Sequence, residues 1–362
     1  MQPAVDRVLE ELPLGLVRPV AELVAMAEGA GQPAFRGRQV HQWVFRRGVS
    51  DPQGMTNLPA SFRGQLQEPA WAERMRVLGV WVSRDGTHKA LLGFSGPARP
   101  AAVEAVWIPQ GRRRTLCVST QVGCPVGCPF CATGQMGLVR QLTAREIAGQ
   151  ALWARQQFGC WPTHVVFMGM GEPLANFGAV RAAIELMRAP DGFGIGVRRL
   201  TISTAGLVPG ILALAREARL EVGLAVSLHA PDDGLRDRLV PVNRAYPLDE
   251  LLQACREYQK ATRRRITFEY VLLRDVNDRP FHARELARRL RGLLCHVNLI
   301  PYNPVPGLPF DRPAPRQVAC FARRLQQAGV PVTVRWSRGG DIEAACGQLR
   351  AAQPLQPAAS QA

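Results

Sequence analysis

The sequence predicts an α/β fold built on parallel strands, and three of its features carry that expectation. Six β-type runs alternate with six runs of helical period between residues 113 and 350, a pattern that yields parallel strands, as a barrel or as a doubly wound sheet. A helical stretch and a group of short strands precede them, so the core has an accessory unit on its N-terminal side. Each unusual polar stretch falls where a strand gives way to the next helix, the end at which barrels and open sheets alike place their chemistry.

From about residue 19 to 68 the runs "PVAELVAMAEGAG" and "FRGRQVHQWVFRRGV" carry apolar residues at three- and four-residue spacing, the mark of helices. The second sets Arg36, Arg38, Arg46 and Arg47 around Trp43 and Phe45. A solvated helix face has this composition, and so does an RNA-docking surface. Short strands follow in "MRVLGVWVS", "HKALLGF" and "AAVEAVWI", with a turn at Asp85-Gly86. After the basic loop "GRRR", "TLCVSTQV" predicts the first parallel strand, and "LTAREIAGQALWARQQFG" a helix opened by a capping box at Thr143 and Glu146. The remaining strands are "HVVFMGMG", "RRLTIST", "EVGLAVSLHA", "ITFEYVLL" and "CHVNLIPYN". Their helices are "FGAVRAAIELMR", "GILALAREA", "LDELLQACREYQKATRR", "ARELARRLRGL" and "PRQVACFARRLQQAG". The expected units are a helical accessory domain over 1–70, a β extension over 71–112, a parallel core over 113–350 and a low-complexity, disordered tail over 351–362.

Forty-five Lys and Arg against 29 Asp and Glu leave a net charge of +16, and Lys occurs only at positions 89 and 260. Such an excess favours a polyanionic partner, nucleic acid first and anionic membrane surfaces second. No apolar run approaches the roughly 18–20 residues that span a bilayer. The acidic start "MQPAVDRVLEELPLGL" lacks a signal-peptide core. The expected location is therefore the cytoplasm, where nine cysteines read as ligands, nucleophiles or packing residues before disulfides.

Cys124, Cys128 and Cys131 follow the pattern C-x3-C-x2-C just after the first parallel strand. Thiolates at this density point to iron–sulfur or zinc. Structural zinc wants a fourth Cys or His at short spacing, and the next candidates are Cys160 and His164. A 4Fe-4S cluster with one iron left open to S-adenosylmethionine (SAM) is the simpler account, and at this point the loop resembles that of the radical SAM superfamily, with Phe130 before the last cysteine. Further polar groups close successive strands: Gly171 and Glu172 in "MGMGEP", Ser203 in "TISTAG", Ser227, Leu228 and His229 in "SLHA", and Asn303 in "LIPYNPVPG". Singly, each reads as a satisfied strand-end group; together at one end of one sheet they read as contacts to that cofactor.

Near the C-terminus, Cys346 stands among Ala344, Ala345 and Gly347, which leave its thiol accessible. "RGGDIEAACGQL" and "CVSTQVGC", supported by "VEAVWIP", "FMGMGEPLANF", "LAVSLHAP" and "LIPYNPVPG", resemble the RlmN/Cfr family of radical SAM RNA methyltransferases over about residues 20 to 350. The helical N-terminal run favours its RlmN branch. The resemblance implies a partial (βα)6 barrel with a small N-terminal helical domain and a short β extension. It implies a 4Fe-4S cluster on Cys124, Cys128 and Cys131, and two SAM molecules per turnover, held by Gly171, Glu172, Ser203, Ser227, Leu228, His229 and Asn303. It further implies that Cys346 accepts a methyl group, that Cys117 resolves the adduct through a transient disulfide with Cys346, and that Glu104 accepts a proton. The implied targets are carbon 2 of an adenine in 23S rRNA and adenosine 37 of tRNA, with a flavodoxin-like or ferredoxin-like electron donor. A monomer is expected. RNA contacts are expected on the N-terminal module and on basic runs such as Arg112–Arg114 and Arg263–Arg265. Gly340 stands where relatives often carry an acid, and Pro125 and Pro129 stiffen the cluster loop. Cys160, Cys255, Cys295 and Cys320 match no motif and read as packing residues. Rival readings are a Cfr-like carbon-8 methylase, another radical SAM enzyme such as a glycyl-radical activase, and a zinc-stabilised RNA-binding protein.

Overall fold

The structure, a computed structural model, describes residues 11–67, 73–95, 101–217 and 220–350. The expected tail, 351–362, lies outside the described residues. A short strand β1 (Leu12–Pro13) precedes helices α1 (Val20–Gly29), α2 (Ala34–Gln42) and α3 (Ala60–Gln65). The first two helices pack backbone to backbone: a Cβ on Gly37 of α2 would stand 2.3 Å from the Leu23 carbonyl oxygen of α1. Helix α2 runs on into a π-turn, Trp43–Arg47. There Phe45 is buried, 4.4 Å from the His41 ring and 5.0 Å from Phe193 of the barrel. This corrects the expected Arg and aromatic surface. Phe45 docks the module, while Trp43, with Arg47 4.1 Å over its ring, and Phe35 remain at the surface.

Strands β2 (Arg74–Val82), β3 (His88–Ser95) and β4 (Ala101–Gln110) form an antiparallel meander that pairs on into β5 (Arg113–Cys117). Next come β6 (Gln121–Gly123), α4 (Ala132–Gln135), β7 (Leu138–Gln141), α5 (Ala144–Phe158), β8 (His164–Phe167) and α6 (Phe177–Arg188). They are followed by β9 (Leu200–Thr204), α7 (Val208–Arg216), β10 (Gly223–Ser227), α8 (Asp233–Leu239) and α9 (Leu248–Thr262). The chain continues through β11 (Ile266–Leu272), α10 (Pro280–Arg289), β12 (Cys295–Pro301), α11 (Pro315–Gln327) and β13 (Val332–Val334). One sheet runs in the order β1-β2-β3-β4-β5-β8-β9-β10-β11-β12-β13, parallel from β5 onward, and β6 and β7 make a separate hairpin. The parallel part is thus the expected six-unit array, extended by β13 at one edge and by the meander at the other.

Alternation along the strands separates two faces. On β11, Ile266, Phe268, Tyr270 and Leu272 join the main core, and Tyr270 lies 5.3 Å from Phe321 of α11. Thr267, Glu269 and Val271 point the other way, into the lumen. Burying each large apolar chain on the helix side contributes about 1.5–3 kcal/mol.

The structure departs from the sequence expectation in one place that matters for function. The predicted strand over 115–122 stops at Cys117. Gln150 of α5 captures both backbone groups of Ser119, accepting from its N–H and donating to its carbonyl at 2.8 Å each. The chain therefore leaves the sheet and turns into the β6–β7 hairpin. Helix α8 and strand β13 went unread because both are short.

Candidate active site

The hairpin delivers the cysteine loop. Cys124 N–H donates to the Gly137 carbonyl at 2.9 Å, Cys131 N–H to the Cys128 carbonyl at 3.1 Å, and Cys131 caps the short α4. The three thiols are half-buried and free. Burial raises all three, Cys124 to about 12, and for Cys124 and Cys128 the neighbouring thiols of the trio add to it. Metal ligation removes that cost, because a coordinating thiol is deprotonated outright. Three free thiols on one short loop are the donor set that an iron–sulfur cluster takes.

The rim above β8, β9 and β10 faces this loop. Gly171 has φ +106°, and a Cβ there would meet the Gln121 Cβ at 2.6 Å. The close approach that needs glycine is therefore to Gln121, whose Oε1 accepts from Glu172 N–H at 2.6 Å. The buried Glu172 carboxylate accepts from Leu174 N–H at 2.9 Å and Ala205 N–H at 2.6 Å, and burial raises its pKa. It lines a cavity of about 310 Å³ with Pro125, Val126, Ala205, Leu207 and Val242. Ser203 and Ser227 are half-buried on the lumen face. Leu228 is buried, its N–H donating to the Glu269 carbonyl at 2.9 Å. His229 adopts the left-handed conformation at φ +59°, which a non-glycine residue holds only when its surroundings enforce it. Its Nδ1 accepts from Val271 N–H at 3.1 Å, and its carbonyl accepts from Asn277 at 2.8 Å. Burial depresses its pKa to about 3, so the ring is neutral and its proton sits on Nε2.

Arg236, which the sequence reading missed, joins this rim. It is 0% exposed and donates to the carbonyls of Ala205 (2.6 Å), Ser227 (3.1 Å) and Leu228 (3.2 Å) and to Asn243 Oδ1 (2.8 Å). Burial lowers its pKa to about 10, still a cation at neutral pH, and its charge reaches Cys128. In "GLRDRL" nothing marks this arginine as interior.

The fourth cysteine of the region lies elsewhere. Cys117 ends β5, buried, its pKa raised first by burial and then by the Cys346 thiol. Cys346 has accessible surface, yet protein atoms surround it closely enough for burial to raise its pKa as well. Arg335 pulls both thiols back down, and Glu269 and Cys131 also act on Cys346. The Cys346 loop is tied to the cluster segment by Ala132 N–H to Gly347 O at 2.8 Å and Thr133 Oγ1 to Leu349 O at 2.5 Å. Asn303 holds it from the other side. Its Nδ2 donates to Ser337 Oγ (2.8 Å) and to the Cys346 carbonyl (3.3 Å), and its Oδ1 accepts from Arg312 (3.2 Å).

Glu104 is not an exposed edge residue. It is buried on β4 between two partner strands, 3.1 Å from the buried Lys89, and accepts from Arg350 N–H at 2.7 Å. Burial raises its carboxyl and Lys89 offsets part of that. Lys89 also donates to the Glu343 carbonyl at 3.3 Å. The rarity of lysine in this chain was a usable signal for it. The basic runs 112–114 and 263–265 precede β5 and β11 or start them, at the opposite end of the strands from the cluster loop. Cys255 and Cys295 are buried, and Cys160 and Cys320 half-buried.

Comparison with known proteins agrees with this geometry. The Radical SAM superfamily profile matches residues 118–285, and the ribosomal RNA large subunit methyltransferase N-terminal domain profile matches 18–71. A probable dual-specificity RNA methyltransferase RlmN of Synechococcus sp. (strain CC9311) is 48% identical over 341 residues, 92% of this chain and 97% of that protein. The similarly described protein of Moorella thermoacetica is 48% identical over 335 residues, 91% and 94% of the two chains. The crystal structure of a radical SAM methyltransferase from Sphaerobacter thermophilus superposes with a TM-score of 0.87 at 47% identity, covering 93% of this chain and 98% of its own. The superfamily implies a 4Fe-4S cluster and SAM, which the cysteine loop and its rim fit. The chain belongs to the RlmN family of radical SAM RNA methyltransferases.

Proposed function

We propose that this chain methylates carbon 2 of adenine, in 23S rRNA at the peptidyl transferase centre and at adenosine 37 of tRNA, by way of a methyl group carried on Cys346. The observation that carries the reading is the neighbourhood of Cys346, whose loop is hydrogen-bonded to the cluster segment at Ala132 and Thr133 and whose thiol is near enough to Cys117 to raise that thiol's pKa. Direct transfer from a sulfonium to a nucleophile needs no such pair. A carrier that must be loaded, activated and then released needs both neighbours.

The bound cluster and two SAM molecules per turnover would supply the methyl group and a radical that removes hydrogen from it. Cys124, Cys128 and Cys131 would hold the cluster, and Gly171, Glu172, Ser203, Ser227, Leu228, His229 and Asn303 would form the SAM contacts or hold the segments that do. Cys346 carries the one-carbon unit until it is bonded to adenine. Glu104, kept buried beside Lys89, takes the proton that carbon 2 loses. The Cys117 thiolate then attacks the Cys346 sulfur and the carbon–sulfur bond breaks. The freed carbon takes up a proton to become the methyl group, the surplus electron of the radical adduct passes to a one-electron acceptor of the same class as the donor, and a Cys117–Cys346 disulfide remains for an external dithiol to reduce. A flavodoxin-like or ferredoxin-like protein supplies the single electron. Among the described residues no helix is long and apolar enough to cross a membrane. The charge of +16 supports an RNA partner, and the reading takes the enzyme to act as a monomer in the cytoplasm. The target base must be splayed from folded RNA to reach the lumen.

The test is product analysis. Protein with its cluster rebuilt is incubated with SAM, reductant and either a 23S rRNA fragment or tRNA, and the digest is chromatographed against 2-methyladenosine and 8-methyladenosine. The 2-methyl product is expected from both RNAs. An 8-methyl product, or none from either RNA, would sink the reading.

A further inference from the structure

Glu269 is a carboxylate of the lumen that no step above uses. It lies on β11 with Thr267 and Val271 on the face opposite the helices. The strand register sets it in a polar row with Ser227 of β10, Asn298 of β12 and Thr333 of β13. The residue is 5% exposed. Its Oε1 accepts from Asn298 Nδ2 at 2.9 Å, while its Oε2 is buried with no hydrogen-bond partner. A buried polar oxygen in that state is rare in folded proteins and calls for a partner from outside the chain. Glu172 makes the contrast, since both its oxygens already accept from backbone N–H groups.

Glu269 is also a neighbour of Cys346, whose thiol feels its charge. The reacting carbon of the base must bond to the carbon held on that sulfur. A free polar atom in the same lumen, near enough to act on Cys346, is placed to meet the base.

We propose that Glu269 Oε2 hydrogen-bonds to a ring nitrogen flanking the reacting carbon of the target adenine, an inference that rests on the carbon-2 reading above. Burial raises the carboxyl pKa, and the Asn298 hydrogen bond and then Arg335 counter that only in part. In this role Oε2, the oxygen without a partner, carries the carboxyl proton and donates it to the ring nitrogen while Oε1 goes on accepting from Asn298. A donor at the ring nitrogen draws electron density from the adjacent carbon and favours addition of an electron-rich, sulfur-bearing carbon radical to it.

The experiment uses the full chain with its cluster rebuilt, as wild type, Glu269→Ala and Glu269→Gln, with Glu269→Met replacing the alanine variant if that fails to fold. Methylation of Cys346, read by intact-protein mass without RNA, should stay within about twofold in every variant. Transfer to RNA should fall about 10- to 100-fold in Glu269→Ala and be largely restored in Glu269→Gln, whose amide can donate in place of the acid. The deciding comparison uses RNA carrying 1-deazaadenosine or 3-deazaadenosine at the target. On the analogue lacking the contacted nitrogen, the ratio of wild type to Glu269→Ala should collapse to about one. An unchanged ratio on both analogues overturns the proposal. So does an equal loss of Cys346 methylation, which would assign Glu269 to SAM or to the loop. Glutamine behaving like alanine would mean that charge is required, and overturns it too. The position of the methyl group in the wild-type digest tests the carbon-2 reading separately.

Discussion

Two sides of one lumen differ in how their polar atoms are used. On the cluster side, Glu172, His229 and Arg236 are buried and hydrogen-bonded to backbone within the protein. On the thiol side, Cys117 and Cys346 are free, Glu269 Oε2 has no partner, and the exposed Arg335 pulls on both thiols. A site for a resident cofactor is well served by groups fixed in advance. On the proposed reading, a site that admits a large RNA substrate and passes a carbon from sulfur to adenine needs groups left open.

The largest effect that can break this contrast is on the thiol side. Cys346→Ala should give neither methylated enzyme nor methylated RNA while keeping its iron. Cys117→Ala should stop later, leaving protein covalently attached to RNA, seen as a shifted band on a denaturing gel. Identical, RNA-free behaviour of the two variants would remove the distinction between carrier and resolving thiol.

Lys89→Met probes the buried pair that flanks the lumen. It strands Glu104 without its cation and should destabilise the fold by about 3–5 kcal/mol in denaturant unfolding, with Glu104→Gln in the same chain recovering part. On the cluster side, Arg236→Met leaves the Ala205, Ser227 and Leu228 carbonyls without their donor and should cost about 3 kcal/mol, with weaker iron retention. An unchanged unfolding midpoint would show that the rim does not depend on that arginine.

His229 sharpens the contrast through pH. Its pKa is about 3 in the fold against 6.5 in the free side chain, so below the free value the unfolded chain binds the extra proton. Stability from this residue is therefore complete above about pH 6.5 and falls by about 1.4 kcal/mol per unit as pH drops toward 3. Unfolding curves of wild type and His229→Gln should show the slope reduced in the variant. Equal slopes would mean that the ring is not held neutral. The smallest effect is expected from Arg38→Gln and Arg46→Gln on the N-terminal module. Each should weaken RNA binding about equally across sequences and reduce the salt slope by about one phosphate contact at most.

Much of this could be read from the chain alone. The capping box of Thr143 and Glu146 is present as expected, because its two hydrogen bonds span three residues. The strand–helix alternation, and the clustering of Cys124, Cys128 and Cys131 on one short loop, depend on periodicity and spacing that the chain carries locally. What only the tertiary structure decided are pairings between distant segments: Gln150 ending β5 at Ser119, Lys89 meeting Glu104, Arg236 gathering three carbonyls, and Phe45 turned into the core instead of toward RNA. A charged or aromatic residue has the same local signature whether it faces water or the interior. Its burial follows from what the rest of the fold brings against it, and that burial raises the Cys117 thiol and encloses the unpartnered Oε2 of Glu269.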